Sequence, residues 1–149
     1  MTLISFYHPQ KHLLDQAVFT LLHKSYRAGK RALVLIETKD RLQYIDTMLW
    51  SYDANSWLPH GSDGGEDCVE HPILLSTEDI NRNEAQYLFL LDGMRSSKIK
   101  DYDRCFELYN ESLGLSAEQA WETLRAFVNS ENEISYWFQN KSGSWEKKY

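Results

Sequence analysis

His60, Cys68 and His71 are the residues whose types could hold a metal, and Cys68-Val69-Glu70-His71 brings two of them close in sequence. Imidazole nitrogens and a thiolate suit zinc, whose catalytic sites take three protein ligands, each oriented by a further partner behind it. The spacing forms no paired Cys-x-x-Cys framework, so the ordinary expectation is a solvated loop with histidines that bind nothing. A small α/β enzyme, or a metal- or ligand-binding protein using the His60–His71 loop, is the alternative function these residues allow. Nucleophilic chemistry is poorly served. There is no Gly-x-Ser-x-Gly elbow, and Cys68 and Cys105 are expected to be buried structural thiols. Nucleotide chemistry needs glycines that let the backbone approach a pyrophosphate. The turn after the first apolar run reads His8-Pro9-Gln10-Lys11-His12, without one, and the Gly61–Gly65 loop carries Asp63, with Glu66 and Asp67 just beyond it. No catalytic residue, metal or cofactor is assigned.

The hydropathy pattern gives the elements that would position any such group. Thr2–Tyr7 reads as a strand. Leu14, Ala17, Val18, Leu21 and Leu22 form one helical stripe, and Gly29 suits a left-handed helix end. Ala32–Ile36 is the continuous apolar run of a strand buried on both sides. A second helix carries Leu42, Ile45, Met48 and Leu49, with Thr38 or Asp40 to cap it. Short strands are expected at Trp57-Leu58 and Ile73–Leu75, separated by the acidic Gly61–Asp67 loop, then at Tyr87–Leu91 and Phe106–Tyr109. Asp92-Gly93 is a turn. Ser116-Ala117-Glu118-Gln119 has the form of a capping box and opens a helix with Ala120, Trp121, Leu124, Phe127 and Val128. Val128–Asn132 reads as a longer turn, and Glu133–Gln139 is a final strand. Strands alternating with helices predict an α/β fold. We expect a single domain over residues 1–149, with a mostly parallel twisted sheet flanked by helices, Rossmann-like without a nucleotide site.

Twenty-two acids against sixteen bases give the 149-residue chain a net charge of -6. General grip on a phosphate backbone comes from clustered Lys and Arg, so nucleic acid is expected only indirectly, through another protein. No apolar run has the length of a membrane helix, and Met1–Ser5 lacks the basic start of a signal peptide. Two cysteines are too few for a secreted disulfide framework. A cytoplasmic location without membrane contact is expected.

The most unusual stretch is Leu49–Gly61, with Trp50, Tyr52 and Trp57 around a polar turn at Asp53–Ser56. Trp50 is expected to seal the second helix against the core. Trp57, between that turn and Pro59, is expected to remain available as an interface anchor. Leu49-Trp50 followed by Ser56-Trp57-Leu58-Pro59-His60 resembles the most specific motif of the bacterial DNA polymerase III chi subunit family. Gly29–Leu35, Pro72–Leu75, Tyr136-Trp137 and Gly143–Glu146 are similar to that family in order and spacing, so the likeness runs nearly end to end.

The resemblance implies a non-catalytic accessory subunit of the DNA polymerase III holoenzyme. Such a subunit links the clamp-loader assembly, through the psi subunit or a substitute, to the acidic C-terminal tail of single-stranded-DNA-binding protein. It places Trp50, Trp57, Leu58, Pro59 and His60 on the psi side. On the tail side it implies Arg125 for the terminal carboxylate and Trp121 or Leu124 for the pocket. An acidic tail ending in an aromatic residue needs an apolar pocket rimmed by Lys or Arg. The chain departs from the family here, since Ser116–Asn129 holds Arg125 as its one base, beside Glu118 and Glu122. Lys141, Lys147 and Lys148 are the other candidates for a rim.

Overall fold

The computed structural model describes residues 2–53, 55–62, 67–128 and 132–149. The first strand, β1 (Leu3–His8), turns at Pro9 into helix α1 (Leu14–Arg27). Ala17, Val18 and Leu22 of α1 are buried as the stripe requires, and the chain leaves the helix through Gly29 at φ 77°, the left-handed conformation expected there. Strand β2 (Ala32–Leu35) is buried at every residue, which marks a strand covered on both sides. Helix α2 (Lys39–Ser51) is capped by Thr38, whose hydroxyl accepts from the Arg41 N–H at 3.1 Å.

Strand β3, Gly61–Ser62 among the described residues, pairs with β4 (Ile73–Ser76). The strand expected at Trp57-Leu58 is not formed. Those residues run as irregular chain into Pro59, which has no N–H for a ladder, and pairing starts two residues later. Gly61 leaves room at that point for the His71 ring, which a Cβ would overlap unless the ring moved. Strand β5 (Tyr87–Leu91) lies where expected, whereas β6 spans Arg104–Leu108, two residues earlier than the apolar run suggested. Helix α3 (Ala117–Phe127) has the predicted reciprocal cap, with Gln119 N–H donating to Ser116 Oγ at 3.1 Å and Ser116 N–H to Gln119 Oε1 at 3.0 Å. Strand β7 (Glu133–Gln139) is followed by β8 (Trp145–Lys147), which the sequence reading did not anticipate. The hairpin closes through Asn140, whose Oδ1 accepts from the Ser142 and Ser144 N–H groups, with Gly143 at φ 89°. The middle of the acidic loop, 63–66, and most of the expected turn at 129–131 lie outside the described residues.

The strands form one sheet in the order β3-β4-β2-β5-β6-β1-β7-β8, parallel throughout except for the β7–β8 pair. Alternation along the strands builds a core on each side. Ile4, Phe6, Leu33, Leu88 and Cys105 meet Trp121 and Leu124 of α3 on one side. Val34, Phe89, Phe106 and Leu108 meet Val18 and Leu22 of α1 and Ile45 and Leu49 of α2 on the other. No helix among the described residues is long and apolar enough to cross a membrane.

Candidate functional site

The end of α2 and the chain that follows form an aromatic corner on a fixed base. Leu58 is fully buried and His60 nearly so, and Pro59 between them is half-buried. The His60 Nδ1–H donates to the Leu58 carbonyl at 2.9 Å, while Nε2 lies 3.1 Å from Asp46 Oδ1 but off the line of a hydrogen bond. The Trp50 ring covers this imidazole at 4.1 Å between centroids. Trp50 is nonetheless 52% exposed, so it does not seal the helix. At its position on α2 the core-facing stripe is completed by Ile45, Met48 and Leu49, which leaves Trp50 one step around the helix, supported by His60 and open to solvent. Trp57 is 71% exposed.

Tyr52 adds a third ring that the sequence reading did not single out as a site residue. It packs on Phe19 of α1 at 4.9 Å while remaining 42% exposed. The intervening turn is braced by Asp53, which accepts from the Asn55 N–H and the Ser56 hydroxyl, each at 2.9 Å. Those two hydrogen bonds hold its carboxyl below the usual range, the backbone one contributing most. Tyr52 was legible only as part of an aromatic run, because its exposure depends on how α2 meets α1.

The residues that could have held a metal point apart. His60 faces Leu58 and Asp46, Cys68 is buried, and His71 lies over Gly61 with Asp67 3.6 Å away. Among the described residues no group of three or more His, Cys, Asp or Glu side chains is placed to hold a metal ion. At the carboxyl ends of the central strands, where α/β folds bind nucleotides, there is a crevice of about 490 Å³. Arg41 in that crevice is already paired with Asp92 at 2.8 Å, and Asn110 donates to the other Asp92 oxygen at 2.9 Å. The Asp92 carboxylate would repel a phosphate there.

On the α3 side, Trp121 and Leu124 are interior residues. Trp121 packs edge-on to Phe6 and Tyr136 and is stacked by Tyr149 at 5.6 Å. Arg125 is exposed beside Glu122, its Nη1 3.3 Å from that carboxylate. The structure therefore does not bring Trp121 or Leu124 to the surface with Arg125. At the start of α3 an apolar cavity of about 510 Å³ is bounded by Ala117, Tyr136, Phe138 and Lys148, with Glu118 and His8 at its edge. A smaller one of about 160 Å³ lies at the end of α3 among Ile99, Lys100, Phe127 and Val128. The Lys148 ammonium lies 5.2 Å from the Tyr136 ring centre and 5.4 Å from that of Tyr149. Lys148 was legible as a possible rim cation, but its place beside α3 depends on the β7–β8 hairpin.

Two comparisons place the chain in a family. The chain is similar to the probable DNA polymerase III subunit chi of Rickettsia prowazekii (strain Madrid E), with 26% identity over 152 residues covering 99% of this chain and 92% of that protein. A family model described as the DNA polymerase III chi subunit matches residues 1–134, which include both the aromatic corner and α3. The chain belongs to the DNA polymerase III chi subunit family, with an accessory role in DNA replication.

Proposed function

We propose that this chain is a non-catalytic cytoplasmic connector of the DNA polymerase III holoenzyme, binding the psi subunit or a substitute through the Trp50–His60 corner. The carrying observation is that two tryptophans stand 71% and 52% exposed on a base made rigid by buried Leu58 and His60. A fully covered Trp buries about 150–250 Å². At roughly 25 cal/mol/Å², covering the open part of Trp57 would contribute on the order of 3–4 kcal/mol before the costs of association. The C-terminal tail of single-stranded-DNA-binding protein is the second partner in this reading. Its terminal carboxylate would meet Arg125 or Lys148, and its aromatic end would enter the cavity beside Tyr136 and Phe138, since Trp121 and Leu124 are interior.

Calorimetry against the psi subunit, or against the clamp-loader assembly where psi is replaced, tests the first partner. Trp57→Ala is expected to weaken binding about tenfold or more while the melting temperature changes by less than about 2 °C. Equal loss of both would make Trp57 a stability residue and end the proposal for this corner. For the tail, Arg125→Ala and Lys148→Ala titrations with a peptide carrying the free C-terminal carboxylate identify the cation. Tail binding unchanged by either substitution would remove this side from the proposal.

A further inference from the structure

A second concentration of aromatic rings lies away from both surfaces above. Tyr7, Trp137 and Trp145 line a groove of about 420 Å³ between α1 and the β1–β7–β8 end of the sheet, with Leu21 and Lys24 on the helix side. A cavity of about 210 Å³ continues it, sharing Tyr7, Leu21 and Lys24 and adding Arg104. The rings form a series. Tyr7 meets Trp145 edge-on at 5.1 Å and lies nearly parallel to Phe106 at 6.0 Å, and the Arg104 guanidinium lies 4.3 Å from the Phe106 centre.

The charge here is opposite to that of the whole molecule. Neither cavity is lined by a carboxylate among the described residues, while Lys24 and Arg104 face into them. Glu133, which alternation puts on the same side of β7 as Trp137, lines neither cavity, although it shares a cross-strand row with Arg104 through Leu3. Cations interleaved with stackable rings are the combination that binds single-stranded nucleic acid, where bases stack on aromatics and phosphates meet Lys or Arg. Gln16, Thr20 and Gln139 also line the groove, and the Trp137 indole N–H donates to Ser135 Oγ at 3.2 Å.

We infer that this groove is a weak, direct contact for a short single-stranded nucleic acid segment. It is a local exception to the expectation, drawn from the net charge, that nucleic acid is met only through another protein. With two cations and an overall charge of -6 the contact is feeble in isolation. It becomes significant when another subunit holds the strand nearby and raises its effective concentration.

The test is fluorescence anisotropy of a labelled oligothymidylate of about twelve nucleotides, within the usual single-strand site size, titrated with the full chain at low salt. Two phosphate contacts predict a slope of log K against log salt of about -1.4, and Lys24→Ala should reduce it to about -0.7. Trp137→Ala is expected to weaken binding about tenfold, while Trp137→Phe, which keeps a stacking ring, retains most of it. Thermal melts of each variant confirm that it remains folded. Absence of binding at low salt overturns the inference, as does binding indifferent to Lys24→Ala and Trp137→Ala. An oligoglutamate peptide ending in phenylalanine that binds more tightly and displaces the oligonucleotide would make the groove a peptide seat instead.

Discussion

Glu107 shows how one side chain can tie stability to pH away from any proposed binding surface. It lies on β6 with 3% exposure, and its Oε1 is 2.5 Å from the Arg95 guanidinium. Burial raises its carboxyl above the usual value of 4.5, and the Arg95 charge pulls in the other direction without cancelling the rise. The folded chain therefore keeps this proton to higher pH than the unfolded chain. Stability from this group is full below the ordinary carboxyl range and is lost as pH rises through the raised folded value. Glu107→Gln should abolish that dependence. Urea unfolding of both proteins from about pH 4 to 8 checks it, and a difference that stays constant across the range would mean Glu107 titrates normally. At the same scale, Trp50→Ala should cost little stability, within about 1 kcal/mol, because its ring rests on His60 and does not fill the core.

At the scale of elements, α3 depends on its start. Ser116 and Gln119 satisfy each other's backbone donors there, so Ser116→Ala should destabilise the protein by about 1 kcal/mol. For a chain of this size that lowers the melting temperature by about 2–4 °C, readable by circular dichroism. An unchanged melting curve would mean that packing of Trp121 and Leu124 alone holds the helix. The capping box, the α1 stripe, the fully apolar β2 and β5 runs and Glu133–Gln139 were all legible, because each is dictated by local chemistry or by periodicity. Strands β3 and β8 were not. Gly61–Ser62 pairs because the β4 edge is beside it, and Trp145–Lys147 because Asn140 and Gly143 turn the chain back. Both are consequences of position. The Trp50–His60 stretch could be recognised from its residues, but the outward pose of Trp50 required the imidazole beneath it. Trp121 and Leu124 were legible as a helix stripe, which is a core signal and does not mark a pocket.

For the whole molecule, the central position of β2 and β5 sets where unfolding must be global. Amides of Leu33–Leu35 and Leu88–Leu90 are paired on both sides within the sheet and buried from both layers. They should be the slowest to exchange with solvent, at a rate set by complete unfolding, whereas β3 and β8 open locally. Hydrogen exchange read by mass spectrometry or NMR checks this ranking. Fast exchange in β2 would mean that the two halves of the sheet separate independently. The proposed surfaces draw on opposite ends of the sheet order, the aromatic corner beside β3 and the nucleic-acid groove beside β7 and β8.

That arrangement has a mechanical consequence. Strands in a sheet stand about 4.8 Å apart, so seven intervals separate its two edges by roughly 30 Å once twist is allowed for. Partners held at both edges would pull across the strands and load the hydrogen-bond ladder in tension. The narrowest rung carries that load least well. Six residues of β1 are matched with β7, whereas among the described residues two, Gly61 and Ser62, join β3 to β4. Under strain the sheet would yield first at Gly61–Ser62, so the chain would act as a strut with a built-in weak link beside the Trp57 corner while its central strands stayed intact.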